Sequence, residues 1–333
     1  MLVRLKQHAD TELVRRRLHG MGVWTVPANT TAGVTAALRI APHSAKLDRA
    51  IIEALDGVDD VLVAPSSHPL VDAQAGRPLR VAGVDIGCGA PPVLMAGPCS
   101  IESREHAMDA AERVAKSGAR FLRGGAFKPR SSPYSFSGVG LEGLAWMREA
   151  ADAHGLGVVT EAMSEAHVEQ VAAHADIIQI GSRNMQNFAL LAAVGQATAG
   201  KARKHVLLKR GMAATVEDWL MAGEHLLAAG AAGVVFCERG IVGFDSSTRN
   251  LLDLGAVALL SHVHRQPVIV DPSHAVGRID LIAPLSTAAI AAGAHGLLIE
   301  THAARGAAKS DGPQALTPEQ LAKVANAMPR GPS

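Results

Sequence analysis

The chain has 333 residues, of which 48% are hydrophobic, 19% charged and 3% aromatic, and its formal net charge is +1. This length suits a barrel with a small companion domain, and the near-zero net charge leaves no basic face for nucleic acid. No run of about eighteen apolar residues occurs and the start lacks a signal-peptide core, so we expect no membrane segment and a cytoplasmic location. Cys88, Cys99 and Cys237 show no spacing pattern, which argues against a disulfide framework.

Residues 1–65 predict a small α+β domain. The pattern indicates, in order, a strand at 1–6, a helix at 10–21, strands at 23–28 and 34–41, a helix at 46–55 and a strand at 58–65. This βαββαβ order is that of a ferredoxin-like domain. The segment contains no cluster of catalytic residue types, so regulatory ligand binding and subunit contact both remain open as its role.

Residues 66–90 are rich in Gly, Pro and Ser and are predicted to form a linker. Within this linker, residues 78–87 alternate in polarity enough to form a short hairpin. We expect this hairpin to close the base of the following domain.

Residues 91–333 predict a (β/α)8 barrel. Eight apolar runs of strand length alternate with helix-length segments rich in Ala and Leu; the runs are 93–97, 120–124, 157–161, 177–181, 206–210, 234–238, 268–271 and 297–300. Nearly continuous Val, Ile and Leu are typical of parallel strands buried on both faces. Helix signals agree, with caps at Thr215 and Thr317. A doubly wound open sheet is the alternative, but no GxGxxG turn supports it.

Charged or ligand-type side chains follow nearly every predicted barrel strand. They are Cys99, Arg123, Glu161, Arg183, Lys209 with Arg210, Glu238 with Arg239, Asp271 with His274, and Glu300. Strand C-termini converge on the face where barrel enzymes build their sites. The set therefore predicts an active site at this face.

A basic stretch at 121–136, FLRGGAFKPRSSPYSF, adds three cations within eight residues: Arg123, Lys128 and Arg130. A solvated basic loop is one interpretation of this stretch. The neighbouring glycines and Pro129 favour a stiff loop that brings the charges close to an anionic ligand.

These residues divide into two chemical groups. Cys99, His274, Glu300 and Asp311 form a candidate ligand set for a divalent transition metal, although Cys99 could instead be a core residue and Asp311 a loop residue. The second group is cationic: Arg123, Lys128, Arg130, Arg183, Lys209 and Arg239. So many cations beside a metal indicate a substrate with phosphates and a carboxylate, and carbonyl addition chemistry.

Several motifs resemble 3-deoxy-D-arabino-heptulosonate 7-phosphate (DAHP) synthase of the compact microbial type, which carries an N-terminal ferredoxin-like domain. They are AGPCS (96–100), LRGGAFKPRSSPYSF (122–136), IIQIGSRNMQNF (177–188), LLKRG (207–211), CERG (237–240), VDPSHAVGR (270–278), GAHGLLIE (293–300) and SDG (310–312). The likeness is loose before residue 85 and close after residue 91.

The resemblance implies condensation of phosphoenolpyruvate with erythrose 4-phosphate, the entry to the shikimate pathway and aromatic amino acid biosynthesis. The implied metal ligands are Cys99, His274, Glu300 and Asp311, with Mn²⁺ favoured over Co²⁺, Fe²⁺ or Zn²⁺. Phosphoenolpyruvate would be held by Arg123, Arg183, Lys209 and Arg239, and erythrose 4-phosphate by Lys128, Pro129, Arg130 and Ser131. Lys128 would also lie near the reacting carbonyl, which makes it, with Cys99 and His274, a candidate catalytic residue. Ser131 replaces the usual threonine of the family and keeps the hydroxyl.

Two alternatives compete with this assignment. A 3-deoxy-manno-octulosonate 8-phosphate synthase shares the barrel but usually has KANRS where this chain has KPRS, and it usually lacks the N-terminal domain. A phosphosugar-binding protein without catalysis is the other alternative, against which the retained ligand and cation sets argue. The resemblance also implies a homotetramer and an aromatic amino acid as effector of residues 1–65, with a purely scaffolding role as the alternative.

Overall fold

The computed structural model describes residues 1–28, 37–40, 48–63, 65–128, 134, 136–199, 204–304, 306 and 312–329. Within it the chain divides into two compact units, Met1–Ser67 and His68–Ser333. Each unit has its own hydrophobic core.

The first unit is a four-stranded antiparallel sheet with two helices. Its elements are β1 (Leu2–Leu5), α1 (Thr11–Gly20), β2 (Thr25–Ala28), β3 (Ala37–Ile40), α2 (Arg49–Glu53) and β4 (Val58–Leu62). The strand order is β2-β3-β1-β4, so each βαβ crossover leaves room for one strand between its ends. This split arrangement confirms the predicted ferredoxin-like domain.

Local sequence explains where these two helices begin. Asp10 accepts a hydrogen bond from the Leu13 amide, and Asp48 accepts one from the Ala50 amide, so each helix has an N-cap carboxylate. α1 then buries Val14 and Leu18 at helical spacing. α2 is shorter than the predicted 46–55, and residues 46 and 47 lie outside the described residues.

The second unit is a closed barrel of eight parallel strands. These are β7 (Val93–Gly97), β8 (Phe121–Arg123), β9 (Gly157–Glu161), β10 (Ile177–Ile180), β11 (His205–Lys209), β12 (Val234–Glu238), β13 (Val268–Val270) and β14 (Gly296–Glu300). β14 pairs in parallel with β7, from Gly296 opposite Val93 to Glu300 opposite Gly97. Because this pairing closes the sheet, the alternative of an open doubly wound sheet is excluded.

Helices surround the barrel and cover its outer apolar layer. They are α4 (Arg104–Lys116), α5 (Leu141–Ala153), α6 (Val168–His174), α7 (Phe188–Ala197), α8 (Val216–Ala228), α9 (Leu254–Ala258), α10 (Pro272–Val276), α11 (Ile279–Ala291) and α12 (Pro318–Ala327). The caps predicted at Thr215 and Thr317 are both complete capping boxes, at α8 and α12. Among the described residues, no helix has the length and apolar character needed to cross a bilayer.

The predicted hairpin is present as β5 (Leu79–Val81) and β6 (Val84–Ile86). Its side chains Leu79, Val81 and Ile86 join the cluster that fills the barrel interior, which includes Phe121 from the start of β8. The hairpin therefore closes the N-terminal end of the barrel, as predicted. The chemistry is left to the opposite end.

The prediction of a linker over residues 66–90 was wrong for residues 69–74, which form helix α3 (Pro69–Gln74). His68 supplies no side-chain cap to this helix. The carboxylate of Glu224, on α8, instead accepts hydrogen bonds from the Leu70 and Val71 amides. Because this cap comes from a residue distant in the chain, Pro69 at the first helical position is the local helix-start signal, with no N-cap side chain beside it.

Candidate active site

The candidate site lies at the C-terminal ends of the barrel strands. Arg123, Lys209 and Glu300 each end a strand, Cys99 follows β7, and His274 belongs to the short helix α10 that follows β13. Close contact between β7 and β8 brings their side chains together. At Gly97, with φ of +154°, a Cβ would lie 2.0 Å from the Arg123 carbonyl oxygen, so the position requires glycine.

Three of the four predicted metal ligands converge. One ligand atom from each of Cys99, His274 and Glu300 lies within 4.8 Å of the others. A thiol sulfur, an imidazole nitrogen and a carboxylate oxygen form a donor set that fits a divalent transition metal. The fourth predicted ligand, Asp311, lies outside the described residues.

Asp271 fixes the orientation of the His274 imidazole. Its Oδ1 caps α10 by accepting from the His274 amide at 3.0 Å, while His274 Nδ1–H donates to Oδ2 at 2.6 Å. This contact sets the tautomer that leaves Nε2 for a metal, as in carboxylate–histidine–metal arrangements. Nε2 lies 3.1 Å from Glu300 Oε1. Burial lowers the pKa of His274, but Asp271 and Glu300 outweigh it and raise that pKa to about 10.

Glu300 is held by three partners. Its Oε1 accepts from Arg123 Nη1 at 3.0 Å and faces His274, and its Oε2 accepts from Gln314 Nε2 at 2.6 Å. Burial raises the pKa of this carboxyl, but His274 and Arg123 exert the larger effect and hold the pKa below its usual range. Glu300 is therefore an ionised carboxylate in a buried position, as a metal ligand must be.

Lys209 forms the second buried ion pair of the site. Its Nζ lies 2.5 Å from Asp271 Oδ2, and both side chains are almost fully buried. Burial raises the pKa of Asp271, but the charges of His274 and Lys209 lower it well below its usual range. Asp271 thus contacts both Lys209, a predicted anion-binding cation, and His274, a predicted metal ligand.

Two buried guanidinium groups keep nitrogens without a partner among the described residues. Arg239 Nη2 donates to the His274 carbonyl at 3.3 Å, whereas its Nη1 has no acceptor. Arg123 Nη1 binds Glu300 and the Pro98 carbonyl, whereas its Nε has no acceptor. Burial lowers the pKa of Arg239, and nearby Asp271 only partly offsets this. Unpaired buried donors are costly, so these nitrogens indicate a site for an anion.

Of the loop residues predicted to bind erythrose 4-phosphate, Lys128 is the one that lies among the described residues. The aliphatic end of Lys128 folds against Gly125, where a Cβ would lie 2.6 Å from Lys128 Cε. Its positive charge contributes to the lowered pKa of Glu300. The other loop residues, Pro129, Arg130 and Ser131, lie outside the described residues.

Arg183 is less closely associated with this cluster. It lies in the single 3-10 turn Ser182–Asn184 after β10, and its side chain is exposed. Position at the strand end therefore agrees with the prediction, but no described contact joins it to the buried cations.

Arg210 and Glu238, also part of the predicted strand-end set, do not join the site. Arg210 Nη1 pairs with Glu238 at 3.1 Å and with Asp253 at 2.8 Å, and its guanidinium carbon lies 5.7 Å from the centre of the Trp219 ring. These contacts satisfy the charges on the outer side of the barrel. Their place in the predicted active-site set was wrong because adjacent residues of a strand point to opposite faces.

Cys237 is a core residue. Its side chain is fully buried in the barrel interior, and burial raises the pKa of its thiol. Glu161, another member of the strand-end set, accepts a hydrogen bond from Gln179 Nε2 at 3.1 Å.

Gln314 was missed at the level of sequence. It contacts Glu300 from the turn that precedes α12, and it also accepts from Arg249 Nη1 at 3.0 Å. A glutamine in a loop carries no local signal of such a role.

A closed parallel barrel with a buried charged cluster at its strand C-termini defines a barrel enzyme. Residues 68–330 match the protein family described as "DAHP synthetase I family". The chain belongs to the DAHP synthetase I family, and it is an enzyme of the transferase type, as predicted.

Individual relatives agree with this family. A phospho-2-dehydro-3-deoxyheptonate aldolase of Thermotoga maritima is 45% identical over 279 residues, which cover 83% of this chain and 81% of the relative. A 2-dehydro-3-deoxyphosphooctonate aldolase of Bordetella petrii is 31% identical over 263 residues, which cover 72% of this chain and 89% of that relative. The crystal structure of the Thermotoga maritima DAHP synthase matches with a TM-score of 0.76 at 39% identity, covering 98% of this chain and 95% of that one. The stronger likeness to DAHP synthase favours it over the octulosonate relatives.

Proposed function

We propose that this protein condenses phosphoenolpyruvate with erythrose 4-phosphate to give DAHP and inorganic phosphate. The observation that carries the proposal is the pair of buried, partly unpaired guanidinium groups of Arg123 and Arg239 beside the Cys99–His274–Glu300 cluster. Such donors are suited to the carboxylate and phosphate of phosphoenolpyruvate. The 45% identity to the Thermotoga maritima aldolase supports the same reaction.

The charges of the cluster support a multiply charged anion. Arg123, Lys128, Lys209 and Arg239 provide four positive charges, and Asp271 and Glu300 offset two of them. The remaining positive charge suits phosphoenolpyruvate, which carries about three negative charges at neutral pH because its phosphate contributes nearly two. Arg183 is proposed to close over this anion from the turn after β10.

Cys99, His274 and Glu300 are proposed to hold a divalent metal, with Asp311 as the fourth ligand. When bound, the metal supplies a Lewis acid for the aldehyde of erythrose 4-phosphate. Asp271 keeps His274 in the tautomer that ligation needs, and Gln314 keeps Glu300 in place. Mn²⁺ is the proposed ion, with Co²⁺, Fe²⁺ and Zn²⁺ as ions that the same donors accept.

Lys128, Pro129, Arg130 and Ser131 are proposed to bind erythrose 4-phosphate. In the reaction, C3 of phosphoenolpyruvate would form a carbon–carbon bond to the aldehyde carbon, and the Lys128 ammonium would protonate the resulting alkoxide. Water then adds at C2 and loses its protons, and the bond from C2 to the bridging phosphate oxygen breaks, which releases phosphate and leaves a ketone at C2. Arg123, Lys209 and Arg239 would hold the carboxylate and phosphate in register while charge redistributes.

Phosphoenolpyruvate consumption should be followed with erythrose 4-phosphate and, separately, with arabinose 5-phosphate. Each reaction is run before and after treatment with a chelator and after Mn²⁺ is restored. We expect rapid consumption with erythrose 4-phosphate alone, lost on chelation and regained with metal. A preference for arabinose 5-phosphate would instead indicate an octulosonate synthase. No turnover of either sugar by folded, metal-loaded protein would indicate a binding protein.

For Met1–Ser67 we propose binding of an aromatic amino acid as allosteric effector, in a homotetrameric cytoplasmic enzyme. The support is the separate ferredoxin-like fold of this unit together with the family of the barrel unit. Rates should be measured with phenylalanine and tyrosine, on the full chain and on His68–Ser333. Inhibition of the full chain alone supports the proposal, and insensitivity of both forms contradicts it. Mass from light scattering tests the tetramer.

A further inference from the structure

A second group of metal-type side chains lies beside the candidate site. Glu102 follows Cys99 on the loop after β7, His106 lies in the first turns of α4, and His302 follows Glu300 after β14. One ligand atom from each of these three residues lies within 4.8 Å of the others, and the two imidazole rings have centroids 4.9 Å apart. None of the three belongs to the set proposed to hold the catalytic metal.

The imidazole nitrogens of this group are buried without partners. Both ring nitrogens of His106, and Nε2 of His302, have no hydrogen-bond partner in the described part of the chain. His302 is only 8% exposed, and its Nδ1 already accepts from the Ala304 amide at 3.0 Å, so its Nε2 is the nitrogen left available. Buried polar atoms normally have a partner, which indicates that a group outside the described residues completes this cluster.

We propose that Glu102, His106 and His302 form a second site for a divalent transition metal, of the kind that Zn²⁺, Co²⁺ or Ni²⁺ occupies. Two imidazoles and one carboxylate are a common three-residue ligand set for zinc, with water completing the coordination. Bonds of about 2 Å require ligand atoms about 3.3 Å apart in tetrahedral geometry, a change that side-chain rotation supplies.

The location gives this site a structural consequence. β7 and β14 are the first and last strands of the barrel, and their pairing closes it. A metal on Glu102, His106 and His302 cross-links the segments that follow these two strands. Cys99 lies in the first of these segments, and Glu300 ends β14 directly before the second, so the second metal would stabilise the two loops beside the catalytic ligands.

Cobalt distinguishes the two sites by spectroscopy. Metal-free full-length protein is titrated with Co²⁺ while visible and near-ultraviolet absorption are recorded. Only a site containing Cys99 gives thiolate-to-cobalt charge transfer, whereas the Glu102–His106–His302 site gives ligand-field bands alone. We expect the wild-type chain to bind two equivalents, one with and one without the charge-transfer band. In Cys99→Ser the charge-transfer band disappears and the other equivalent remains.

His106→Gln should weaken binding of the equivalent without charge transfer by more than about 100-fold, because one of three ligands is lost. His225→Gln, which changes an exposed helical histidine on α8, is the matched control and should retain both equivalents. Glu102→Gln provides a second variant if His106→Gln fails to fold. The proposal is overturned if the wild type binds a single equivalent that shows the charge-transfer band, if Cys99→Ser binds none, or if both ligand variants retain two equivalents. Absence of the charge-transfer band with ligand-field binding intact would instead contradict the Cys99 site.

Discussion

The barrel mouth has an inner and an outer cluster of charged residues. The two clusters contain the same residue types but differ in how fully their charges are paired. The inner cluster contains Arg123, Lys209 and Arg239, and buried N–H groups of Arg123 and Arg239 have no partner within the part of the chain that the structure describes. The outer cluster contains Arg210, paired with Glu238 and Asp253 beside Trp219. The paired charges of the outer cluster contribute to stability, whereas the unpaired buried donors of the inner cluster indicate a ligand-binding site.

Strand geometry separates the two clusters. Lys209 and Arg210 are adjacent in the chain, as are Glu238 and Arg239, and adjacent strand residues face opposite sides of a sheet. Lys209 and Arg239 face the interior of the barrel mouth, where Asp271 and His274 lie. Arg210 and Glu238 face the surrounding helices. A charged residue at a strand end therefore indicates an active-site role only when it is known which face of the sheet its side chain points to.

The largest expected effect is at the inner cluster. Cys99→Ala should lower kcat by about 1,000-fold, because loss of a metal ligand removes a Lewis acid that contributes several kcal/mol. Cys237→Ala, a buried cysteine in the barrel interior, is the matched control and should retain activity. Steady-state kinetics with added Mn²⁺ checks both. Equal turnover by Cys99→Ala and wild type would contradict the proposed ligand role.

At the outer cluster, Arg210→Met should lower the free energy of unfolding by about 3–5 kcal/mol, because it leaves Glu238 buried without its main ionic partner. The KM for phosphoenolpyruvate should change by less than about twofold. Urea unfolding and kinetics at low temperature measure the two effects. A large rise in KM at unchanged stability would place Arg210 in the substrate site.

The same variant should show a characteristic pH dependence. Burial raises the pKa of Glu238 even though Arg210 and the Gly240 amide lower it. Without Arg210 the folded-state pKa rises further above the unfolded value, so protonation relieves the unpaired charge. The stability deficit should therefore be smaller at pH 5 than at pH 8, as urea unfolding at the two pH values can show. A deficit that grows on acidification would contradict this account.

A smaller effect is expected at the opposite end of the barrel. Ile86→Ala, in the closing hairpin, should lower the free energy of unfolding by about 2–4 kcal/mol through cavity formation. Substrate KM values should stay unchanged, because the hairpin closes the end remote from the strand C-termini. Denaturation and kinetics test this pair of expectations, and a KM change without destabilisation would be the opposite result.

The smallest expected effect is a difference in labelling rate between the cysteine thiols, with no change in activity. In native protein Cys237 should react last with a disulfide reagent, because full burial raises its pKa and excludes the reagent. The slow phase should be absent in Cys237→Ala. Labelling of Cys237 in native protein as fast as that of the partly exposed Cys88 would show that the barrel interior is open.

Sequence patterns identified the elements whose signals are local. The barrel strands are nearly continuous apolar runs, and the caps of α8 and α12 are encoded within four residues. The strand-end rule also found Cys99, Arg123, Lys209, His274 and Glu300, which the structure brings to one face. The Thermotoga maritima structure, at a TM-score of 0.76, agrees with the predicted architecture.

Features that depend on distant residues were not predictable. α3 begins where Glu224 caps it from another helix, and Gln314 binds Glu300 across the barrel mouth. Arg210 and Glu238 were grouped with the site because strand ends are uncertain by a residue, and one residue reverses the face. The His106–His302 contact likewise joins residues nearly two hundred positions apart.

Binding of phosphoenolpyruvate to Arg239→Met tests the central claim most directly. Isothermal titration calorimetry should compare this variant with wild type and with Arg278→Met, which changes an exposed arginine paired with Asp280. The account predicts about 10- to 100-fold weaker binding for Arg239→Met, since charged hydrogen bonds contribute about 1.5–3 kcal/mol, and unchanged binding for Arg278→Met. Wild-type affinity in Arg239→Met would show that the inner cluster does not hold this substrate.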